Sequence, residues 1–411
     1  MPTGALASIT AVSPPDSSGP PGRPRPSAEE RRRDLRRRRR NALLILGGGL
    51  AVIVGFVAWA SRGGGGSGDA PAEQAATQAP LQVAARSPKP ALPAPRRPAL
   101  AVTATGGSGV EMRVVATPRS ARAMTGPWRP AAKTLPMPAD IAEVLEAGPI
   151  PGHVEVRDDS GRTARSGTVL LPATPGTGTA EIIRSLPTSR PHVGLVFDDG
   201  LEESSALRIV DILRRTKSGG TFCFNGINVK DWSPRAARKL QAAVADGVIT
   251  MCSHGWSHRT STTSSEAEAT SDLSANASMD RFIGVDSVPY YRPPYGALSP
   301  GIEAAAGKLG YRWIVMWDVD PSDYEKPAVA TLTSRVVEAS GKGSIVVLHA
   351  VGNTADALPG IITGLRRKGL RAVTLTTMFG DHAAAKRAAA QATTTPVTTG
   401  GDAPPVPGEG T

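Results

Sequence analysis

From His192 onward, short apolar runs alternate with amphipathic stretches. The runs lie at 192–197, 220–224, 248–252, 288–291, 312–317, 344–348 and 370–375. Each is short and bounded by turn residues, as buried strands are. Between most of them the apolar residues recur at helical spacing. Ala206, Ile209, Val210 and Leu213 follow i, i+3, i+4, i+7. Ser233-Pro234 reads as an N-cap with proline at the first helical position, and Gly247 as a stop. Ser299-Pro300 opens a second helix with Ile302, Ala305, Ala306 and Leu309 on one face. Leu358, Ile361, Ile362 and Leu365 form another, closed by Gly369. Strands alternating with helices predict parallel pairing in an α/β fold. About seven parallel strands predict a distorted (β/α) barrel, incomplete beside the eight-stranded form.

The rest of the chain reads differently. Residues 1–40 are Pro/Ser/Gly-rich and then arginine-rich, and predict a disordered basic arm. Residues 41–60, NALLILGGGLAVIVGFVAWA, carry no charge. At ~1.5 Å per helical residue this segment spans a bilayer core of ~30 Å. The arginine block precedes it, so the positive-inside bias puts the N-terminus in the cytoplasm and the remainder outside. A cleaved export signal is the alternative, against which the long apolar run and its distance from Met1 speak. Residues 61–109 read as a Gly/Ala/Pro linker. Residues 110–187 read as a small accessory region, with strands in GVEMRVVAT and GTVLLPA and a helical turn in IAEVLEAG. The catalytic region is assigned to 188–380, and 381–411 to a disordered tail.

Charge changes the picture little. The net charge is +11, but the first forty residues hold ten arginines against four acids and so carry +6. The basic balance belongs largely to the arm, where anionic lipid headgroups are the expected partner. No nucleic-acid partner is expected. Cys223 and Cys252 are the only cysteines, too few for a thiolate zinc site. Two buried free thiols are expected, with a single disulfide in an oxidising compartment as the alternative.

The candidate chemistry sits just after the strands. Asp198 and Asp199 follow the first, and His254 and His258 the third. Arg292-Pro-Pro-Tyr-Gly296 follows the fourth, Asp320 and Asp323 the fifth, and His349 ends the sixth. In a parallel barrel these ends open on one face, so the groups converge. Adjacent acids on an extended chain point opposite ways, which suits one to a metal and the other to a proton. Histidines four apart share one face of a helical turn and grip a metal with one carboxylate. That set suits zinc, and other divalent ions fit it too. Taken singly, an Asp-Asp pair is also a helix cap, and a histidine after an apolar strand is also a core residue.

Taken in order, these motifs resemble the polysaccharide deacetylases of carbohydrate esterase family four, the NodB-homology domain, over residues 188–380. Phe197-Asp198-Asp199-Gly200 resembles the first family motif and His254-Gly-Trp-Ser-His258 the second. Arg292-Pro-Pro-Tyr-Gly296 matches the third, Asp320-Pro-Ser-Asp323-Tyr324 resembles the fourth and Leu348-His349 the fifth. Gly255, Leu201 and Tyr324 depart from the usual pattern, and none is a metal or proton-transfer residue. The resemblance implies Asp199, His254 and His258 as ligands of one divalent ion, zinc before cobalt, nickel or manganese. It implies Asp198 as base, Arg292 as its orienting partner, His349 as acid and Asp323 as the group that tunes it. The Tyr295 amide would hold an oxyanion, and Tyr324 and Leu348 would meet substrate. The implied activity is metal-dependent removal of N-acetyl groups from an extracytoplasmic polysaccharide, peptidoglycan first. An O-acetyl polysaccharide esterase and a non-catalytic wall-binding module are the alternatives.

Overall fold

In the computed structural model, residues 79–87, 99–118, 122–259 and 262–383 are described. The apolar segment 41–60, the arginine arm and most of the assigned tail lie outside them. Among the described residues, no helix is long and apolar enough to cross a membrane.

Among the described residues, ten strands precede His192: β1 Gln82–Arg86, β2 Ala99–Thr105, β3 Glu111–Ala116, β4 Met124–Thr125, β5 Arg129–Pro130, β6 Thr134–Pro136, β7 Ile150–Arg157, β8 Thr163–Arg165, β9 Val169–Leu171 and β10 Glu181–Ile183. Seven follow: β11 His192–Asp199, β12 Gly220–Phe224, β13 Ile249–Ser253, β14 Tyr290–Tyr291, β15 Trp313–Val315, β16 Ile345–His349 and β17 Arg371–Val373. The helices used below are α1 Ala139–Val144, α2 Glu203–Arg215, α3 Gly226–Val229, α4 Pro234–Ala245, α5 Glu266–Ile283, α6 Pro300–Leu309, α7 Val329–Ala339 and α8 Gly352–Arg367.

The seven expected strands form one parallel sheet in the order β15-β14-β13-β12-β11-β16, with β17 against the start of β11. One parallel bridge, Val319 to Val346, ties the segment after β15 back to β16. The barrel is therefore closed by a single bridge rather than a full ladder. The sheet also gains β10, which pairs with β15 ahead of the assigned start at 188. Three residues are too few for a periodic signal.

Strand β11 shows how the layers arise. Its side chains alternate between two cores. Val193, Leu195 and Phe197 pack outward with Ile209, Leu213, Leu240, Leu358 and Ile361 of the helices. Val196 packs inward with Cys223, Cys252, Tyr290, Val315 and Leu375. Continuing that alternation sends Asp198 inward and towards the mouth.

The expectation of free thiols is not met. Cys223 and Cys252 form a disulfide. They sit directly opposite each other on β12 and β13, so their side chains emerge on the same inner face.

The stretch read as a linker holds β1 and β2, which pair antiparallel, and β2 pairs with β6. Alanine fills both faces of these strands, so no hydrophobic alternation marks them. The accessory strands in 111–116 and 169–171 and the turn at 139–144 form as expected. They join β7, whose buried positions alternate but whose Pro151 and Gly152 mask the pattern. One core covers this β-rich region, including Leu100, Met112, Val114, Leu135, Ile141 and Val156. Tyr290 of the barrel donates its hydroxyl proton to the Ala147 carbonyl of this region. Residues 375–383 are helical, so the barrel runs three described residues past the assigned boundary at 380. His192 and Asp381 pair at 2.6 Å and hold that helix to β11.

The disulfide closes a loop of sequence separation 29. Replacing both cysteines with alanine should lower stability by about 2–4 kcal/mol in urea unfolding. A loss below about 0.5 kcal/mol would contradict the cross-link as a stabilising element.

Candidate active site

Asp198 and Asp199 end β11, but they do not point opposite ways as an extended chain requires. Asp199 takes a left-handed backbone, φ 70°. This rotation brings its carboxylate to the same side as that of Asp198. His254 Nε2 lies 4.0 Å from Asp198 Oδ2 and 3.4 Å from Asp199 Oδ1. A non-glycine residue in that region costs of order 1–3 kcal/mol and persists only where its surroundings impose it. Asn228 donates its side-chain amide to the Asp199 carbonyl at 3.1 Å and helps to hold the turn.

His254 and His258 also converge by a route other than the expected one. Residues 254–258 form a bend, not a helical turn, and His258 has φ 55°. His258 Nε2 lies 3.3 Å from Asp199 Oδ1. One ligand atom from each of Asp199, His254 and His258 falls within 4.8 Å of the others.

The tautomer of His254 is fixed from behind. Its Nδ1–H donates to the Arg292 carbonyl at 2.7 Å. In the neutral ring Nε2 is then a lone pair facing the Asp199 carboxylate, as in a metal-ligating histidine. Asp199 Oδ1 is buried and accepts no hydrogen bond. Burying an ionised oxygen without a partner is costly. A divalent cation at this point resolves both facts, and the N₂O donor set with open positions suits zinc-like ions. Burial pushes the Asp199 carboxyl up, and positive charge at His254 and His258 pulls it well below the ordinary carboxylate range; with both rings neutral, a bound cation supplies that charge instead.

Asp198 is 3% exposed and is held by Arg292, which is 0% exposed. Arg292 Nη1 donates to Asp198 Oδ1 at 3.0 Å. Its Nε and Nη2 donate to the carbonyls of Val315 and Met316 at 2.8 and 3.0 Å. Burial lowers the guanidinium pKa and the Asp198 charge works against that. The fork fixes one carboxylate oxygen and leaves the other facing His254.

The opposite side of the cluster is built at the end of β16. His349 Nδ1 and Asp323 Oδ1 are 2.7 Å apart. Asp323 Oδ2 accepts from the His349 backbone N–H at 2.7 Å and from the Thr354 hydroxyl at 2.5 Å. Burial alone would lower the His349 pKa, but Asp323, with Asp198 and Asp199 further off, outweighs it and raises the pKa to about 9. The imidazolium is thus the resting form at neutral pH.

The mouth is ringed with apolar side chains. Tyr295, 78% exposed and with φ 57°, sets its ring edge-on to His258 at 4.5 Å between centroids. Tyr324, 59% exposed, does the same to His349 at 6.0 Å. Leu201, on the loop after β11, and Ile227, on α3 after β12, are also exposed. Leu348 does not join them. It is 0% exposed and packs in the outer core with Phe197 and Val346. Alternation along β16 sends Leu348 to the helices when it sends His349 to the mouth, so its assignment as a substrate contact is corrected. Asp320 also stands apart, exposed and accepting the Ser322 N–H at 2.9 Å, a turn residue.

Several supporting residues escaped the reading of the sequence. Asn225, fully buried, donates to the His254 carbonyl at 2.6 Å. Thr354 fixes Asp323 from α8. Both belong to no apolar pattern; the signal for Asn225 was a polar residue directly after a fully apolar strand.

A family model described as polysaccharide deacetylase matches residues 185–314. A peptidoglycan-N-acetylglucosamine deacetylase of Bacillus cereus is 26% identical over 207 residues, 49% of this chain and 94% of that protein. The peptidoglycan-N-acetylmuramic acid deacetylase PdaC of Bacillus subtilis is 29% identical over 184 residues, 44% of this chain and 38% of that protein. The crystal structure of PdaC covers 50% of this chain and 96% of the crystallised chain, at 26% identity and a TM-score of 0.43. A bifunctional xylanase/xylan deacetylase of Cellvibrio japonicus is 29% identical over 182 residues, 44% of this chain and 26% of that protein.

In the metal-free protein, Asp323→Asn should return the His349 pKa towards the ordinary value near 6.5. Proton NMR titration of the ring reads this directly. The stabilisation carried by the His349–Asp323 pair is fully present below pH ~6.5 and is lost as pH rises through about 9. A His349 pKa unmoved in Asp323→Asn would contradict the pairing.

Proposed function

We propose that this chain, whose residues 185–314 match a family model described as polysaccharide deacetylase, hydrolyses N-acetyl groups on the amino sugars of peptidoglycan. The observation that carries the reading is the division of labour around one point. Two histidines converge on the buried, unpartnered carboxylate oxygen of Asp199. A fixed carboxylate stands on one side, and a histidine held protonated on the other. The names of the relatives from Bacillus cereus and Bacillus subtilis support peptidoglycan as the polymer.

Asp199, His254 and His258 would hold one divalent ion, zinc in our reading. Such an ion supplies Lewis acidity for the amide carbonyl and for water. Asp198 accepts the proton of the attacking water, its orientation set by Arg292. The water oxygen bonds to the acyl carbon, and the Tyr295 N–H donates to the developing oxyanion; one such donor is worth roughly 2.7–4 kcal/mol. His349 then protonates the nitrogen as the C–N bond breaks, giving acetate and a free amine. An unprotonated amine is a very poor leaving group, which is why the raised pKa of His349 matters. Tyr324 and Tyr295 offer ring faces and edges to the sugar.

We also read the protein as anchored by residues 41–60, with the arginine arm cytoplasmic against anionic headgroups and the barrel outside. A reporter active only after export, fused behind residue 383, should be active. An inactive fusion in intact, expressing cells would reject this topology.

The xylan deacetylase among the relatives favours one second reading, ester hydrolysis at the same site. An alkoxide leaves more easily than an amine, so the acid matters less. Acetate release by the full chain from peptidoglycan, N-acetylated chitooligosaccharides and acetylated xylan separates the two. On amides, chelation should abolish release and zinc restore it, and Asp198→Asn and His349→Ala should each cost about 10²–10⁴-fold in kcat. Activity should fall above pH 9 or earlier, because a bound cation pulls the His349 pKa down. Release confined to ester substrates would replace the proposal with the esterase.

A further inference from the structure

We propose that Asp272, on helix α5, is a positioning residue that sets the cation affinity of the site by holding the loop between the two histidine ligands. Asp272 Oδ2 accepts the Trp256 backbone N–H at 2.9 Å. Its Oδ1 accepts both the N–H and the hydroxyl of Ser257, at 3.0 and 2.7 Å. Trp256 and Ser257 lie midway between His254 and His258, so one carboxylate grips the loop by two successive amides. The grip matters because this bend is no regular element. Gly255 and His258 both have left-handed backbones, φ 72° and 55°, and no helical or sheet ladder fixes them.

Two further contacts make the grip directional. One turn along α5, Asn276 donates to Ser253 Oγ at 3.0 Å, just before His254. The Trp256 indole lies so close to Gly226 that a Cβ there would stand 2.2 Å from Trp256 Cε3. His254 is fixed from the barrel through Asn225 and the Arg292 carbonyl. His258 depends on the loop and on the Tyr295 ring set edge-on to it. Asp272 therefore acts on the metal through His258, and it touches neither the cation nor the substrate. Hydrogen-bond partners behind metal ligands typically govern 10–100-fold in affinity.

This inference rests on Asp199, His254 and His258 being the ligand set of the proposed function. Its test does not need that reaction. The apo form of the full chain is titrated with zinc against a competing chelator, and its thermal midpoint is read with and without zinc. Because both oxygens of Asp272 accept N–H groups, an amide of equal size presents one NH₂ to a donor and cannot substitute. Asp272→Asn should weaken zinc binding at least tenfold and shrink the zinc-induced rise in midpoint, as mass action requires. Ser257→Ala, which removes one of the three donors and keeps both amides, should change the affinity less than threefold. Should the Asn variant fail to fold, Asp272→Glu and Asp272→Gln make the same comparison at equal length, with Gln at least tenfold weaker than Glu. Zinc affinity within twofold of the parent in Asp272→Asn, or equal in the Glu and Gln variants, overturns the proposal. Wild-type zinc binding without acetate release would instead reject the reaction and leave this positioning role standing.

Discussion

One buried guanidinium holds the site together. Arg292 has no exposed surface, and a desolvated cation persists only where it is paired and hydrogen-bonded. Three of its donors are matched by Asp198 and by two carbonyls just at and beyond the end of β15. Its own carbonyl takes the Nδ1 proton of His254. A single residue after a two-residue strand thus fixes the Asp198 carboxylate, the tautomer of His254 and the adjoining strand end. Removing one partner of such a pair leaves an uncompensated charge, typically a loss of about 3–5 kcal/mol. Arg292 is also stacked at 5.5 Å from the Trp317 ring, which closes the side not taken by hydrogen bonds.

The rest of the chemistry follows from how the chain leaves each strand. β11 ends with both acids in register with β12 and the second turned into the left-handed region. β14 is followed by Arg292, Pro293-Pro294 and then Tyr295, again left-handed. β16 ends on His349 itself. These departures from extended geometry aim groups from different strands at one volume, and the regular core beneath keeps the departures in place. The two acids of the first motif acquire different environments for this reason. One sits in an arginine fork and the other among imidazoles.

The barrel was legible because its strands and helices carry strong, opposed periodicities. The convergence of the polar groups then followed from parallel pairing alone. What escaped had no such contrast. β1 and β2 are alanine-rich on both faces, β10 is three residues long, and β7 opens with a proline and a glycine. α5 reads EAEATSDLSANASMDRFI, too poor in large apolar residues to show an amphipathic stripe. Its capping box, Ser265 with Glu268, was the available signal. Residue identity alone could not place the backbone rotations at Asp199 and His258. Nor could it tell that Leu348 faces the helices, since that depends on which neighbour in the strand takes the mouth.

The cystine on the inner face lies level with the chemistry. Cys223 stands opposite Asp198, and Cys252 precedes His254 by two residues. The strand that pairs beside Asp198 and the strand that leads to His254, β12 and β13, are thereby riveted to each other. Thermal breathing that slides β12 past β13 is blocked there. Any loosening of the donor set must arise in the segments that leave these strands, where side chains such as Asn225 and Asp272 bear the strain.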